Sequence, residues 1–90
     1  MEAIRYIVRG RVQGVGFRDF ARRAARQAGL TGWVRNRGDG AVEAMAVGSS
    51  EALAAFAAAL AEGPRRSQVE SVESEPLGEQ PAPARFDITW

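Results

Sequence analysis

Gly10-Arg-Val-Gln-Gly-Val-Gly-Phe-Arg18 lies between a run of alternating apolar residues and a helical pattern that begins near Phe17. The alternating run predicts a strand. Glycines allow the connecting backbone to turn its N–H groups toward one point, and a helix start adds N–H donors and the positive end of its dipole. Arg18 adds a planar cation that suits a phosphate. The segment predicts either an anion-binding loop or a strand-to-helix turn in which glycine serves only the backbone angles.

The composition of the chain excludes several kinds of chemistry. Its 90 residues predict a single domain, residues 1–90, with one hydrophobic core. Cysteine and histidine are absent, which removes disulfides, thiolate nucleophiles, imidazole bases and the usual zinc ligands. All 12 cations are arginines, so a Schiff-base lysine and the phosphate-binding lysine of a P-loop are excluded.

The charge is distributed unevenly along the chain. The net charge of +1 is too small for a general nucleic-acid binder, although arginine is concentrated in the half that holds the glycine loop. Carboxylates follow at Glu70, Glu73, Glu75 and Glu79, where a solvated sheet edge is a better interpretation than a metal site. We find no apolar run typical of a signal peptide or membrane span, and expect a cytoplasmic protein.

Apolar periodicity and turn residues divide the chain into seven predicted elements. In order these are a strand at residues 4–8, a helix from Phe17 with its stop at Gly29, a strand Thr31–Asn36, a strand Ala41–Val47, a helix capped by Ser49 or Ser50 and ending near Glu62, a weak strand around Val69 and Val72, and a last strand with Phe86, Ile88 and Trp90. A turn at 37–40 connects the second and third strands, and a loop containing Pro76, Pro81 and Pro83 precedes the last strand.

This order predicts an α+β sandwich, βαββαβ with an additional C-terminal strand, in which two helices cover one face of an antiparallel sheet. In a split βαβ arrangement the first and second strands are parallel, and the third lies between them. Gly10 and Asn36 then lie at the same end of the sheet. We therefore expect the glycine loop to meet Asn36.

Few side chains at that end of the sheet can take part in a reaction. Without His, Cys or Lys they are Arg18, Asn36, Gln13 and nearby carboxylates, none of which is an activated nucleophile. The substrate must therefore already be reactive. An acyl phosphate is a mixed anhydride, so binding its phosphoryl group and positioning a water can suffice without a covalent intermediate.

Two segments, Gly10–Arg18 and Gly32-Trp-Val-Arg-Asn-Arg-Gly-Asp-Gly-Ala-Val-Glu43, resemble the signature segments of the acylphosphatase family. The similarity covers nearly the whole chain, and Phe86-Asp87-Ile88 resembles the family's terminal strand. The resemblance implies a ferredoxin-like fold, which agrees with the predicted element order. It also implies hydrolysis of small acyl phosphates to a carboxylate and inorganic phosphate.

The resemblance further implies roles for particular residues. Arg18 would bind the phosphate, and the Asn36 side-chain amide would orient the attacking water. No metal and no cofactor are implied. Backbone amides of the glycine loop would complete the phosphate site, namely those of Arg11, Val12, Gln13, Gly14, Val15 and Gly16.

Single residues also allow plainer interpretations. Asn36 alone would be a turn residue beside Gly38, and Arg18 alone a solvated helix arginine. Trp33 is predicted to be a core anchor. Asp19, Arg35 and Arg37 depart from common family sequences. Asp19 would weaken phosphate binding if it reached Arg18, whereas Arg37 would strengthen it if it lay near the site.

A second hypothesis is a ferredoxin-like small-molecule or RNA-binding module without catalysis. Against RNA, the predicted third strand Ala41–Val47 has none of the aromatic residues that an RNA-binding sheet uses. The family's domain also occurs at the front of hydrogenase maturation factors, but a chain ending at Trp90 favours a free-standing enzyme. We expect a monomer with no nucleic-acid or membrane partner.

Overall fold

The computed structural model describes residues 1–89 and has the predicted order of elements. Trp90, predicted to end the last strand, lies outside the described residues. The elements are β1 (Glu2–Arg11), α1 (Phe17–Gln27), β2 (Thr31–Asn36), β3 (Val42–Gly48), α2 (Ser50–Glu62), β4 (Gln68–Glu79) and β5 (Phe86–Ile88).

The five strands form one sheet in the order β4-β1-β3-β2-β5. Since β3 pairs antiparallel with both β1 and β2, those two strands are parallel with β3 between them, as predicted. The prediction of an antiparallel sheet was wrong for β5, which pairs parallel with β2. The reason is that β4 ends beside Glu2, so the chain enters β5 from the end of the sheet at which β2 also starts.

The edge strand β4 is longer than the sequence indicates. It runs through Pro76, which was predicted to lie in a loop and instead pairs with Ile4 next to an irregularity in register. Proline is tolerated at an edge because no neighbour on the outer side needs its missing N–H. Glu70, Glu73 and Glu75 are exposed along this strand, as the interpretation of a solvated edge requires.

Both helices pack against one face of the sheet. The α1 helix buries Phe17, Ala21 and Ala25, whereas Phe20 and Ala24 are only partly buried. The α2 helix buries Leu53, Phe56 and Leu60 in the same core. The small side chains of Ala21 and Ala25 on the buried side of α1 allow its backbone to lie close to the strands.

Two side-chain hydrogen bonds fix α2 in place. The Ser49 Oγ accepts from the Ala52 N–H at 3.1 Å, so Ser49 is the cap. The Tyr6 hydroxyl donates to the Leu53 carbonyl at 3.1 Å, and burial raises the pKa of Tyr6 to about 12. The phenol therefore stays neutral and keeps its proton for this bond.

Trp33 lies on the face of the sheet opposite the helices. Along β2 the side chains alternate between faces, and the neighbouring Val34 is the one that enters the core. The indole is partly exposed, with the Arg35 guanidinium 5.6 Å from its ring centre. The prediction of a core anchor was therefore wrong, because strand periodicity alone does not say which of two apolar neighbours faces inward.

The same open face contains a buried carboxylate between two arginines. The Glu43 side chain is 5% exposed, and its oxygens accept from Arg5 Nε at 2.6 Å and Arg35 Nη2 at 2.7 Å. Burial alone would raise the pKa of Glu43, but these hydrogen bonds outweigh burial and lower that pKa below its usual 4.5. Glu43 therefore stays ionised and neutralises part of the basic half of the chain.

Replacing Glu43 by glutamine is expected to destabilise the protein at neutral pH and much less in acid. Because the folded pKa is lowered, this stabilisation is present above the unfolded pKa and is lost as the pH falls through the folded pKa. Both arginines are partly exposed, so we expect a loss of about 1–2 kcal/mol at neutral pH, below the ~3–5 kcal/mol of a fully buried pair.

Urea unfolding of wild type and Glu43→Gln between pH 7 and pH 3 measures this difference. The exposed Glu70→Gln is the matched control and should change stability by less than about 0.5 kcal/mol. An unfolding free-energy difference for Glu43→Gln that is the same at both ends of the pH range would show that its ionisation does not contribute.

Candidate active site

A cavity of about 170 Å³ opens between the β1–α1 loop and the adjoining ends of β2 and β5. Arg18 and Asn36, which are 18 positions apart in the sequence, both line it. The topology therefore brings the glycine loop and Asn36 together, as the strand order predicted. The lining residues are Val12, Gly14, Gly16, Phe17, Arg18, Asp19, Asn36 and Ile88.

The loop reaches this geometry through two glycines with left-handed backbone angles. Gly14 has φ +73° and Gly16 has φ +80°, values at which a side chain would be strained. Gly16 is also the N-cap of α1, and the first helical bond runs from the Phe20 N–H to the Gly16 carbonyl at 3.1 Å. The N–H groups of residues 17–19 precede that bond, so they and the helix dipole are available to an anion.

Arg18 is the second residue of α1 and is half-buried at the wall of the cavity. Its neighbour Asp19 also lines the cavity, but the Asp19 carboxylate pairs with Arg22 at 2.6 Å and Arg23 at 3.1 Å. The Arg22 hydrogen bond and the Arg23 charge lower the pKa of Asp19. These two arginines compensate the negative charge that was expected to oppose an anion here.

Asn36 ends β2 with its side chain partly buried. Its Oδ1 atom is buried and has no hydrogen-bond partner among residues 1–89. A buried acceptor without a partner is costly and needs an explanation. Because Asn36 lines the cavity, a water there can donate to Oδ1 and satisfy it.

Three of the six loop residues predicted to bind phosphate line the cavity, and three do not. Arg11 is exposed at the end of β1, where it pairs with Gln68. The Gln13 side chain turns toward the β2–β3 hairpin, and Val15 packs against the core. The cavity is instead reached by Val12, Gly14 and Gly16.

Arg37, which would strengthen the site if it lay near it, is not part of the cavity wall. Its guanidinium pairs with Asp39 at 3.1 Å on the hairpin turn. The Ala41 N–H and this pair lower the pKa of Asp39, so the carboxylate remains ionised beside Arg37. Arg37 thus contributes to the turn that follows Asn36.

Sequence reasoning missed Ile88, which forms an apolar part of the cavity wall. Ile88 pairs with Val34, two residues before Asn36, through the parallel contact of β5 with β2. That contact is not local, so no pattern within residues 86–88 indicates it. Phe17 and Asp19 also line the cavity, and their presence there is explained by their position in the first turn of α1 beside the loop.

The sequence matches the family model described as Acylphosphatase over residues 4–88. The chain belongs to the acylphosphatase family. An acylphosphatase of Solibacter usitatus is 57% identical over 74 residues, which are 82% of this chain and 77% of that protein. Another, of Koribacter versatilis, is 50% identical over 91 residues, 99% of this chain and 83% of that protein.

Structural comparison agrees with this family assignment. The crystal structure of acylphosphatase from Bacillus subtilis superposes with a TM-score of 0.97 at 41% sequence identity, and all of each chain is covered. The fold is therefore the α+β, ferredoxin-like fold of the acylphosphatase family. Within residues 1–89, no helix is long and apolar enough to span a membrane, and no group of three Asp or Glu side chains is arranged to hold a metal ion.

Proposed function

We propose that this chain hydrolyses small acyl phosphates to a carboxylate and inorganic phosphate, with Arg18 and the glycine loop binding phosphate and Asn36 positioning the water. The observation that carries this proposal is the buried Oδ1 of Asn36, which has no partner within residues 1–89 and lines the same cavity as Arg18. Family membership supports the reaction. The residues that line the cavity support separate roles for Arg18 in binding phosphate and Asn36 in positioning the water.

The phosphoryl group is held at the start of α1. Backbone N–H groups of the loop, including those of Val12, Gly14 and Gly16, and the N–H groups of residues 17–19 donate to its oxygens. Arg18 donates from its planar fork and offsets the negative charge. Because these donors lie on α1 or on the short loop between β1 and α1, whose glycines adopt left-handed angles, binding requires little reorganisation.

The water occupies the part of the cavity beside Asn36 and donates a hydrogen bond to Oδ1. Its oxygen attacks phosphorus, the bond from phosphorus to the carboxyl oxygen breaks, and the electron pair leaves with the carboxylate. The proton released from the water passes to a phosphate oxygen or to solvent. A carboxylate with a pKa of about 4 leaves without a general acid, which fits a site without histidine, cysteine or lysine.

The predicted cytoplasmic location, monomeric state and absence of a nucleic-acid partner stay predictions. The open face of the sheet supports the predicted absence of a nucleic-acid partner. There Arg5 and Arg35 bind Glu43, and Arg9 binds Glu73 at 2.8 Å. These pairs reduce the positive potential that a phosphate backbone would need.

Hydrolysis of acetyl phosphate is expected to continue in excess EDTA, and p-nitrophenyl phosphate is expected to be a poor substrate. In this mechanism no step is assigned to a metal ion, and a phenolate or alkoxide is a worse leaving group than a carboxylate. Release of inorganic phosphate from both compounds, with and without EDTA, measures this. Activity that disappears with EDTA, or equal rates on the two compounds, would contradict the proposed mechanism.

A further inference from the structure

The Gln13 side chain connects the phosphate-binding loop to the β2–β3 hairpin. Its Nε2 donates to the Arg37 carbonyl at 2.8 Å and to the Ala41 carbonyl at 2.9 Å. An amide nitrogen carries two hydrogens, so both are used. The same two hairpin residues also bond to each other, from the Arg37 N–H to the Ala41 carbonyl at 2.8 Å.

These bonds lie next to Asn36. Arg37 directly follows Asn36, which ends β2 opposite Val42 of β3. On the other side, Gln13 directly precedes Gly14, one of the glycines that line the cavity. The amide therefore joins the backbone on either side of the site: the loop that receives the phosphoryl group and the strand end that carries Asn36.

We propose that Gln13 is a positioning residue, whose side chain holds Asn36 at a fixed distance from the phosphate-binding loop without itself touching the substrate. This inference rests on the proposed function, because it assumes that Asn36 orients the attacking water. Attack on phosphorus depends steeply on where the water lies, and a displacement of ~1 Å can cost about 10²-fold in rate. Phosphate is bound by α1 and the loop, so loosening the hairpin should affect binding much less.

A double-mutant cycle separates positioning from simple support of the hairpin. Wild type, Gln13→Ala, Asn36→Ala and the double variant are compared by kcat on acetyl phosphate and by titration with inorganic phosphate. We expect Gln13→Ala to lower kcat by about 10- to 100-fold while phosphate affinity changes by less than about threefold. In the Asn36→Ala background, the same substitution should change kcat by less than about twofold, because its effect passes through Asn36.

Two further variants complete the experiment. Gln80→Ala is the matched control, since the Gln80 amide also donates to a backbone carbonyl, that of Leu77 at 3.3 Å, on the exposed edge of the sheet. It should leave kcat unchanged. Gln13→Glu keeps the length of the side chain but cannot donate to two carbonyls when ionised, so kcat should fall as in Gln13→Ala. This second variant tests the proposal even if the alanine variant does not fold.

Two results would overturn the inference while leaving the proposed function intact. One is a Gln13 variant that is folded by circular dichroism and has wild-type kcat, and the other is an equal loss of kcat in the presence and absence of Asn36. Failure of the proposed function has a different signature, because Asn36→Ala alone would then turn over acetyl phosphate at the wild-type rate. A loss of kcat confined to proteins that retain Asn36 supports the positioning role.

Discussion

Arg18→Ala is expected to lose both phosphate affinity and turnover. The guanidinium contacts the phosphoryl group in the ground state and in the transition state, so its removal affects both. A hydrogen bond to a charged group is worth about 1.5–3 kcal/mol, which corresponds to about 10- to 100-fold in inorganic phosphate affinity. For kcat/KM we expect a loss of about 10³-fold, because charge on the phosphoryl oxygens also has to be stabilised as the bond to the carboxylate breaks.

Two comparisons isolate the geometry of the arginine from its charge. Arg18→Lys keeps the charge but lacks the planar fork, so recovery should be incomplete. Arg85→Ala removes the same charge from an exposed position before the start of β5, outside the cavity wall, and should leave phosphate affinity nearly unchanged. Calorimetric titration that finds equal phosphate affinity for wild type and Arg18→Ala would mean that the arginine does not bind the anion.

Much of the fold follows from local patterns. The alternation at Tyr6 and Val8 and the three- and four-residue spacing along α1 are produced by burial against a single core, so they predict β1, α1 and their order correctly. The strand order then brings Gly16 and Asn36 to one end of the sheet. Gly16 and Asn36 are therefore both accessible to sequence reasoning, because the predicted topology places two motifs that are distant in the sequence at the same end of the sheet.

The remaining differences come from contacts that are not local. The direction of β5 depends on which end of the sheet the chain reaches after β4, and the outward position of Trp33 depends on register with β3. The role of the Gln13 side chain depends on the carbonyls of a hairpin more than 20 residues away. Periodicity and turn chemistry contain no information on such pairings.

Asn36→Ala is expected to separate catalysis from binding. Losing an oriented hydrogen-bonding group of this kind should lower kcat by about 10²- to 10³-fold, or ~3–4 kcal/mol, by analogy with oxyanion-hole donors. Phosphate affinity should change little, because the anion is bound by Arg18 and the loop. The Oδ1 atom makes no hydrogen bond within residues 1–89, so alanine removes no bond of that atom, and stability should change by less than about 1 kcal/mol.

The most direct test of the account measures kcat on acetyl phosphate and inorganic phosphate affinity on the same preparations of wild type and Asn36→Ala. Thermal unfolding and circular dichroism on those preparations confirm that the variant is folded, since Asn36 precedes the hairpin turn. We expect kcat to fall by about 10²-fold or more while phosphate affinity stays within about threefold. A folded Asn36→Ala protein with nearly wild-type kcat would contradict the positioned-water mechanism.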